Sequence, residues 1–164
     1  MLPGRAEIDA VLFDWDGTLV SSADVSFRCF QEVFAAYGIA FDRAAYAATY
    51  TPNWRRMYTA KGLPEEHWSE ADARWVAAYG RETIPLIAGA RHAVDRLLAA
   101  GLAVGLVTSG DRGRVEKELA AHGLDRVLDV VVCGPDTANK KPHPEALLLA
   151  LARLHVRPPR SIYV

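Results

Sequence analysis

Near its start the chain reads IDAVLFDWDGTL over residues 8–19. The apolar run from Ile8 to Phe13 is short and is followed by polar turn residues, which is typical of a buried strand that ends in a loop. Its aspartates, Asp14 and Asp16, are two positions apart, and side chains at positions i and i+2 of an extended segment project to the same side. The sequence therefore predicts two carboxylates close together at a strand end.

The two carboxylates can be interpreted in two ways. Neighbouring carboxylates repel each other, which separates their proton affinities unless a cation lies between them. Such a pair suits a nucleophile beside a general acid, and Gly17 lets the backbone turn sharply there. Alternatively, Asp16 and Gly17 merely form a turn, because Asp-Gly is a common loop dipeptide. The pair alone leaves both interpretations open.

Residues 21–84 show helical periodicity and no convincing strand. Ser21 and Asp24 have the spacing of a capping box at the start of a first helix. Asp42 can cap a second helix, and Thr51-Pro52 begins a third with proline at its first position. We therefore expect an all-helical segment in this part of the chain.

After Pro85 helices and apolar strands alternate. The predicted strands are 102–107, 130–133 and 162–164, and the predicted helices are 90–100, 111–122 and 144–154. This alternation is typical of a parallel sheet that is covered on both faces. We expect an α/β fold with a doubly wound, Rossmann-like core made of residues 1–20 and 85–164. Residues 21–84 would be inserted over the carboxyl ends of the strands, where such sheets place their sites.

Composition excludes several classes of protein. The chain has 164 residues, which suits one domain with an insertion. Its net charge of -1 argues against a protein that binds nucleic-acid phosphates, and no apolar run approaches the roughly 20 residues that span a bilayer. Cys29 and Cys133 match no metal-binding spacing. We expect a cytoplasmic protein with no nucleic-acid or membrane partner, and its oligomeric state is open.

Two further segments contain residue types that could bind an anion. Thr108 and Ser109 follow a predicted strand, and their hydroxyls with the free amides of a helix start would form an anion site, although a plain helix N-cap explains them equally. Lys141 lies between a strand and a proline-started helix, where it could bind a carboxylate and a phosphate. By itself, such a lysine is more often a solvated loop charge.

Taken together and in this order, the three segments resemble the motifs of the haloacid dehalogenase-like hydrolase superfamily. The closest likeness is to the phosphoglycolate-phosphatase group with a helical cap. The three matching segments are Asp14-Trp15-Asp16-Gly17-Thr18-Leu19, Leu106-Val107-Thr108-Ser109-Gly110 and Lys141-Pro142-His143-Pro144. The resemblance covers essentially the whole chain, and it implies that residues 21–84 form the cap.

The resemblance implies a Mg²⁺-dependent phosphatase that acts on a small phosphorylated metabolite. Asp14 would attack phosphorus to form an aspartyl-phosphate, and Asp16 would protonate the leaving alcohol. Thr108 and Lys141 would complete the catalytic set, and Mg²⁺ would bind the Asp14 carboxylate and the Asp16 carbonyl oxygen. The residues expected to contact substrate are Trp15, Gly17, Ser109, Gly110 and, in the cap, Arg55.

Within the superfamily, the acid at Asp16 favours phosphate-ester chemistry. The dehalogenases have Tyr at this point of the motif, and the phosphonate hydrolases have Ala. A sugar-phosphate mutase stays an alternative, since water and a sugar hydroxyl can both accept a phosphoryl group. Beyond the equivalent of Val164 the family pattern continues with Gly-Asp, further acids of the metal site, and a last strand and helix. We therefore expect a core without those parts, and a catalytically inactive binding or interaction module is the other alternative.

Overall fold

The computed structural model describes residues 7–51 and 54–164 of the chain. Its regular elements are, in chain order, β1 (Ala10–Phe13), α1 (Ala23–Ala35), α2 (Arg43–Thr49), α3 (Trp54–Ala60), α4 (Trp68–Tyr79), α5 (Ala90–Ala99), β2 (Ala103–Val107), α6 (Arg112–Ala121), β3 (Val130–Val132), α7 (Glu145–Leu154) and β4 (Ser161–Tyr163). Short 3₁₀ turns lie at Glu65–His67, Gly134–Asp136 and Pro158–Arg160. Within the described ranges no helix combines the length and the apolar character needed to cross a bilayer.

The four strands form one parallel sheet in the order β3-β2-β1-β4. Ala10 of β1 pairs with Ala103 of β2 on one side and with Ser161 of β4 on the other, so β1 has a partner strand along both edges. This architecture confirms the predicted α/β fold with a Rossmann-like parallel sheet. Because all four strands run in the same direction, their carboxyl ends lie at one edge of the sheet.

Helices bury the sheet. All four residues of β1 are buried, as expected for a continuous apolar strand in a parallel sheet. Leu12 and Val107 belong to an apolar cluster with Ala150 and Leu151 of α7. The helix α5 contacts β2, and its residue Val94 is fully buried. The strands are therefore held by apolar side chains, and polar residues are left for the loops that follow them.

The described residues divide into two compact units. The sheet unit contains residues 7–21 together with Ile84–Val164, and the helical unit is Ser22–Thr83. Within the sheet unit the Ser21 amide donates a hydrogen bond of 2.9 Å to the Pro85 carbonyl. This bond joins the two segments of the sheet unit at the point where the chain leaves it and returns.

Aromatic side chains form the interior of the helical unit. Phe30 of α1 is fully buried, and its ring centroid lies 5.5 Å from that of Trp75 of α4 and 6.5 Å from that of Tyr58 of α3. Trp54 and Trp75 are closer still, with ring centroids 4.1 Å apart. Such contacts add stability beyond the area they bury. These aromatic residues therefore pack against one another within the unit.

Of the helix starts predicted in this unit, one is confirmed, one is wrong and one lies outside the described residues. Asp42 caps α2 as predicted, because its side chain accepts a 2.7 Å hydrogen bond from the Ala45 amide. The capping box predicted at Ser21 and Asp24 is wrong: α1 has Ser22 as its N-cap, and no side-chain cap bond is made there. Ser22 has helical backbone angles, whereas a capping side chain needs an extended N-cap residue. The predicted start of α3 at Pro52 lies outside the described residues.

Gly105 is a closely packed position of the sheet. It lies between Leu12 of β1 and Val130 of β3 in the strand register. A Cβ atom built on Gly105 would lie 2.5 Å from Val130 Cγ1 and 2.8 Å from Leu12 Cδ2. Gly113 on α6 is the opposite case, since it is exposed and a Cβ there would meet only Asp111 Oδ1 at 3.4 Å.

We expect Gly105→Ala to lower the free energy of unfolding by about 1–3 kcal/mol, because an extra methyl group overpacks a full core. Gly113→Ala serves as the matched control and should raise it by about 0.5–1 kcal/mol, because alanine restricts the unfolded chain without a clash. Urea denaturation followed by circular dichroism measures both. A Gly105→Ala variant as stable as the original chain would contradict the tight contact.

Candidate active site

Polar residues collect at the edge where the strands end. Asp14 directly follows β1, and its amide donates a 2.9 Å hydrogen bond to the Val164 carbonyl. Thr108 follows β2, and its amide donates a bond of the same length to the Val132 carbonyl. Lys141 reaches this edge from the loop between β3 and α7. Main-chain hydrogen bonds thus fix Asp14 and Thr108 at adjacent strand ends.

The Asp14 carboxylate forms an ion pair with Lys141. Lys141 Nζ lies 2.7 Å from Asp14 Oδ1, and the Trp15 amide donates to the same oxygen at 2.8 Å. Both hydrogen bonds go to Oδ1, so among the described residues Oδ2 accepts none. The Asp14 side chain is 30% exposed. One oxygen is therefore held in place, and the other is available to a ligand.

Lys141 has two further partners. Its Nζ donates to the Tyr163 hydroxyl at 2.8 Å and to the Val107 carbonyl at 3.3 Å. Burial lowers the pKa of Lys141, but the hydrogen bonds to Asp14 and Tyr163 outweigh it and leave the pKa above its usual value. The lysine is therefore a cation at neutral pH, and its position is fixed by three oxygen atoms.

The loop after β2 forms its own hydrogen bond. Thr108 is buried, and its Oγ1 accepts a 3.0 Å hydrogen bond from the Gly110 amide. Ser109 is exposed, and among the described residues its amide donates no hydrogen bond. Asp111, rather than Thr108 or Ser109, is the N-cap of α6. The simple N-cap interpretation of Thr108 and Ser109 is therefore wrong, and the Ser109 amide is left for an anion.

The Asp16 carboxylate forms an ion pair with a different residue from the one that binds Asp14. Arg114 of α6 binds it with two nitrogens, at 2.7 Å from Nη2 to Oδ2 and 3.2 Å from Nη1 to Oδ1. Two neighbouring carboxylates would repel unless a cation lay between them, and in the structure each has a cation of its own. Asp16 is thereby oriented by a two-pronged contact, which a single hydrogen bond would not do.

Two residues of the site, Arg114 and Tyr163, were not predicted from the sequence. Arg114 and Glu118 are four residues apart on a helix, which usually indicates an exposed ion pair. Tyr163 was expected only as part of a strand. The parallel register places Tyr163 opposite Leu12, close to the end of β1, and a polar side chain at that point of a neighbouring strand is the signal that could have found it.

Trp15 and Gly17 have internal partners. The Trp15 side chain is fully buried, and its indole N–H donates to the Glu118 carboxylate. Gly17 has a φ of 82°, which glycine adopts without strain, and its amide donates to the Val20 carbonyl at 2.9 Å. Gly17 thus forms the turn that its sequence indicated. Contact of these two residues with a substrate stays a prediction.

Arg55, the predicted substrate residue of the cap, lies on α3 in the helical unit. Its guanidinium carbon is 5.8 Å from the centroid of the Trp68 ring. A cation at this distance over an aromatic face is attracted by it. Its contact with a substrate also stays a prediction.

The oxygen atoms at the strand end are suitable for Mg²⁺. Among residues 7–51 and 54–164 no group of three or more His, Cys, Asp or Glu side chains could hold a metal. Mg²⁺, however, usually keeps several waters and is held by one or two carboxylates together with substrate phosphate. The Asp14 carboxylate is an oxygen ligand of the kind that such an ion takes. The main-chain carbonyl of Asp16 would be a second oxygen donor of the same chemical kind.

Comparison with known proteins agrees with these motifs. The model of the haloacid dehalogenase-like hydrolase family matches residues 11–164. Protein CbbY of Cereibacter sphaeroides is 30% identical over 94% of this chain and 74% of its own length. Phosphoglycolate phosphatase of Yersinia pestis is 29% identical over 96% of this chain and 72% of its own length.

Solved structures show the same likeness. CbbY of Rhodobacter sphaeroides has been crystallised with phosphate and, as a mutant, with xylulose-(1,5)-bisphosphate. Both structures align with a TM-score of 0.71 at 28% identity, over 95% of this chain and 76% of theirs. Asp14, Thr108 and Lys141 all lie within the residues that the family model matches. The chain therefore belongs to the haloacid dehalogenase-like hydrolases, and its relatives place it among the phosphoric monoester hydrolases of that family.

Proposed function

We propose that this chain is a Mg²⁺-dependent phosphatase that hydrolyses a small phosphorylated metabolite through an aspartyl-phosphate on Asp14. The observation that carries the proposal is the 2.7 Å ion pair between Lys141 and Asp14 Oδ1, beside the Thr108 loop. Lysine holds one carboxylate oxygen and leaves Oδ2 as the nucleophilic atom. A carboxylate oriented in this way is suited to form a covalent phosphoryl intermediate.

In the first step Asp14 Oδ2 attacks the phosphorus atom of the monoester. The new bond from Oδ2 to phosphorus forms while the bond to the leaving oxygen breaks. Asp16 donates a proton to that oxygen, which leaves as an alcohol. General acid catalysis of this kind contributes about 10²–10⁴-fold to the rate.

In the second step a water molecule attacks the phosphorus atom of the aspartyl-phosphate. Asp16 now accepts a proton from this water, which restores the acid for the next cycle. The bond from phosphorus to Asp14 breaks, and inorganic phosphate is released. One residue thus acts as acid and then as base, as expected for a displacement that occurs twice at the same atom.

The phosphoryl oxygens would be held by Thr108, Ser109 and Lys141. The Thr108 hydroxyl accepts from the Gly110 amide, so its own hydrogen can be donated to a phosphoryl oxygen. The Ser109 amide is a second donor and the Lys141 ammonium a third. Mg²⁺, bound by the Asp14 carboxylate and the Asp16 carbonyl, would supply positive charge against the charge of the transferring group.

The helical unit is proposed as the cap that selects the substrate. It has its own aromatic interior, and Arg55 is its candidate for binding a carboxylate or a second phosphate. The relatives indicate the compounds with which to begin, since one is named for phosphoglycolate and another was crystallised with a pentulose bisphosphate. The proposed substrate class is therefore a small phosphorylated acid or sugar.

The experiment that tests the function is a phosphate-release panel with 2-phosphoglycolate, pentose phosphates and hexose phosphates, run with Mg²⁺ and with a chelator. We expect release that requires Mg²⁺, and Asp14→Asn should abolish it while circular dichroism stays unchanged. Turnover by Asp14→Asn near that of the original chain would contradict the nucleophile. Isomerisation of a hexose phosphate without release would favour a mutase, and no turnover of any compound would favour a binding module.

Lys141→Ala should lower kcat/KM by about 10²–10³-fold, the usual cost of removing one donor to a developing charge. Lys140→Ala is the matched control, because Lys140 Nζ donates to the Gly134 carbonyl rather than to Asp14. Steady-state kinetics of both variants measure the difference. Equal losses in the two variants would contradict the assignment of Lys141.

Asp16→Asn should lower kcat by about 10²-fold or more for an alkyl phosphate, because the amide cannot protonate the leaving alcohol. The loss should be smaller for p-nitrophenyl phosphate, whose leaving group needs no proton. The comparison is made with the same enzyme preparation on both substrates. An unchanged rate for the alkyl phosphate would remove Asp16 as the acid.

A further inference from the structure

The helix α6 contacts the Asp14–Asp16 segment through two side chains, Arg114 and Glu118, which we call the α6 clamp. Arg114 binds the Asp16 carboxylate with both terminal nitrogens. Glu118 binds Arg114 Nη1 at 3.2 Å and accepts the indole N–H of Trp15. The side chains of two consecutive residues, Trp15 and Asp16, are thus held by one helix.

The α6 clamp is largely shielded from water. The side chain of Glu118 is 13% exposed and that of Arg114 is 21% exposed, against 33% for Asp16. Trp15 is fully buried. Charge-assisted hydrogen bonds are stronger where water is excluded, and a two-pronged contact from arginine fixes the direction of a carboxylate as well as its distance.

Gly110 makes room for this arrangement. A Cβ atom built on Gly110 would lie 2.4 Å from Arg114 Nη2 and 3.3 Å from its Cζ. The guanidinium group therefore passes directly over the loop that carries Thr108 and Ser109. Gly110 has no positive φ, so the backbone itself would accept alanine. The space is taken by the Arg114 guanidinium and by Val115, whose Cγ2 would lie 3.0 Å from the new Cβ.

We propose that Arg114 is a positioning residue for Asp16, and that Glu118 keeps Arg114 in place. This inference rests on the proposed function, in which Asp16 transfers a proton in both steps. Arg114 holds the Asp16 carboxyl group in one orientation relative to the phosphoryl site, so that the proton moves over a short, fixed path. Small displacements of a catalytic group can cost about 10²-fold in rate.

Arg114 could instead bind substrate phosphate itself, and the two roles predict different kinetics. A phosphate-binding arginine acts on every substrate, raises KM when it is removed, and does so whether or not Asp16 is present. A positioning residue acts through Asp16 alone. Its loss lowers kcat, matters most for leaving groups that need a proton, and adds nothing once Asp16 is gone.

The test is a double-mutant cycle with Arg114→Gln and Asp16→Asn, in which the substrates are an alkyl phosphate and p-nitrophenyl phosphate. Arg114→Gln should lower kcat for the alkyl phosphate by about 10- to 100-fold, change KM by less than about threefold, and affect p-nitrophenyl phosphate less. In the Asp16→Asn background it should cause no further loss. Arg91→Gln is the charge-matched control, because Arg91 pairs with Asp95 on α5 and should leave kcat unchanged.

Gly110→Ala gives a second route to the same result, because the new methyl group displaces the guanidinium while Arg114 stays in the chain. It should reproduce the leaving-group dependence of Arg114→Gln. Arg114→Lys should recover only part of the rate, since lysine cannot make the two-pronged contact. A loss with Arg114→Gln that persists in the Asp16→Asn background, or that appears as a raised KM, overturns the proposal.

Urea denaturation tests the contact between Arg114 and Asp16 independently of activity. It is measured for the four proteins of the cycle, which are the original chain, the two single variants and the double variant. The shifts in unfolding midpoint should be non-additive, because the two residues stabilise each other in the folded chain. Additive shifts overturn the contact, whatever the activity. An original chain that releases no phosphate from any substrate overturns the proposed function, while the midpoints still decide whether Arg114 holds Asp16.

Discussion

Parallel pairing of β1 with β2 and β4 determines where the polar groups of the site lie. Strands that run in one direction end at one edge, so residues far apart in sequence meet there. The amides of Asp14 and Thr108 continue the hydrogen-bonding of the sheet by one residue, to Val164 and Val132. The apolar core fixes the strands, and the strands in turn fix Asp14 and the Thr108 loop.

Charge at this edge is arranged in two separate ion pairs. Lys141, from the loop between β3 and α7, holds Asp14, and Arg114, from α6, holds Asp16. Like charges close together are costly unless each has a partner of opposite sign. Two cations from different elements let two carboxylates lie at one strand end. Among the described residues Asp14 accepts hydrogen bonds at one oxygen only, whereas both oxygens of Asp16 accept from arginine.

Much of this fold and part of its site could be predicted from the sequence. Apolar runs and helix stops locate β1 and the later elements, because local periodicity reports burial directly. The positions of three site residues at the strand ends could be predicted, because each follows a strand or precedes a helix in a motif: Asp14, Thr108 and Lys141. Their catalytic roles stay predictions. Arg114 was missed because its spacing to Glu118 is that of an exposed helix pair, and only the tertiary structure shows that it reaches Asp16. The predicted capping box at Ser21 was wrong for a related reason. The backbone angles at Ser22 determine where α1 begins and whether a side chain caps it, and the sequence pattern does not show these angles.

The buried indole of Trp15 has a consequence for transplanting this site into another protein. The residue between the two aspartates is more than a spacer, because its indole N–H donates to Glu118, a carboxylate that also binds Arg114. A loop grafted without α6 and Lys141 would carry both aspartates and lose the cations that hold them. A transplant therefore needs the loop, Lys141, and the part of α6 that contains Arg114 and Glu118, which the chain reaches about a hundred residues later.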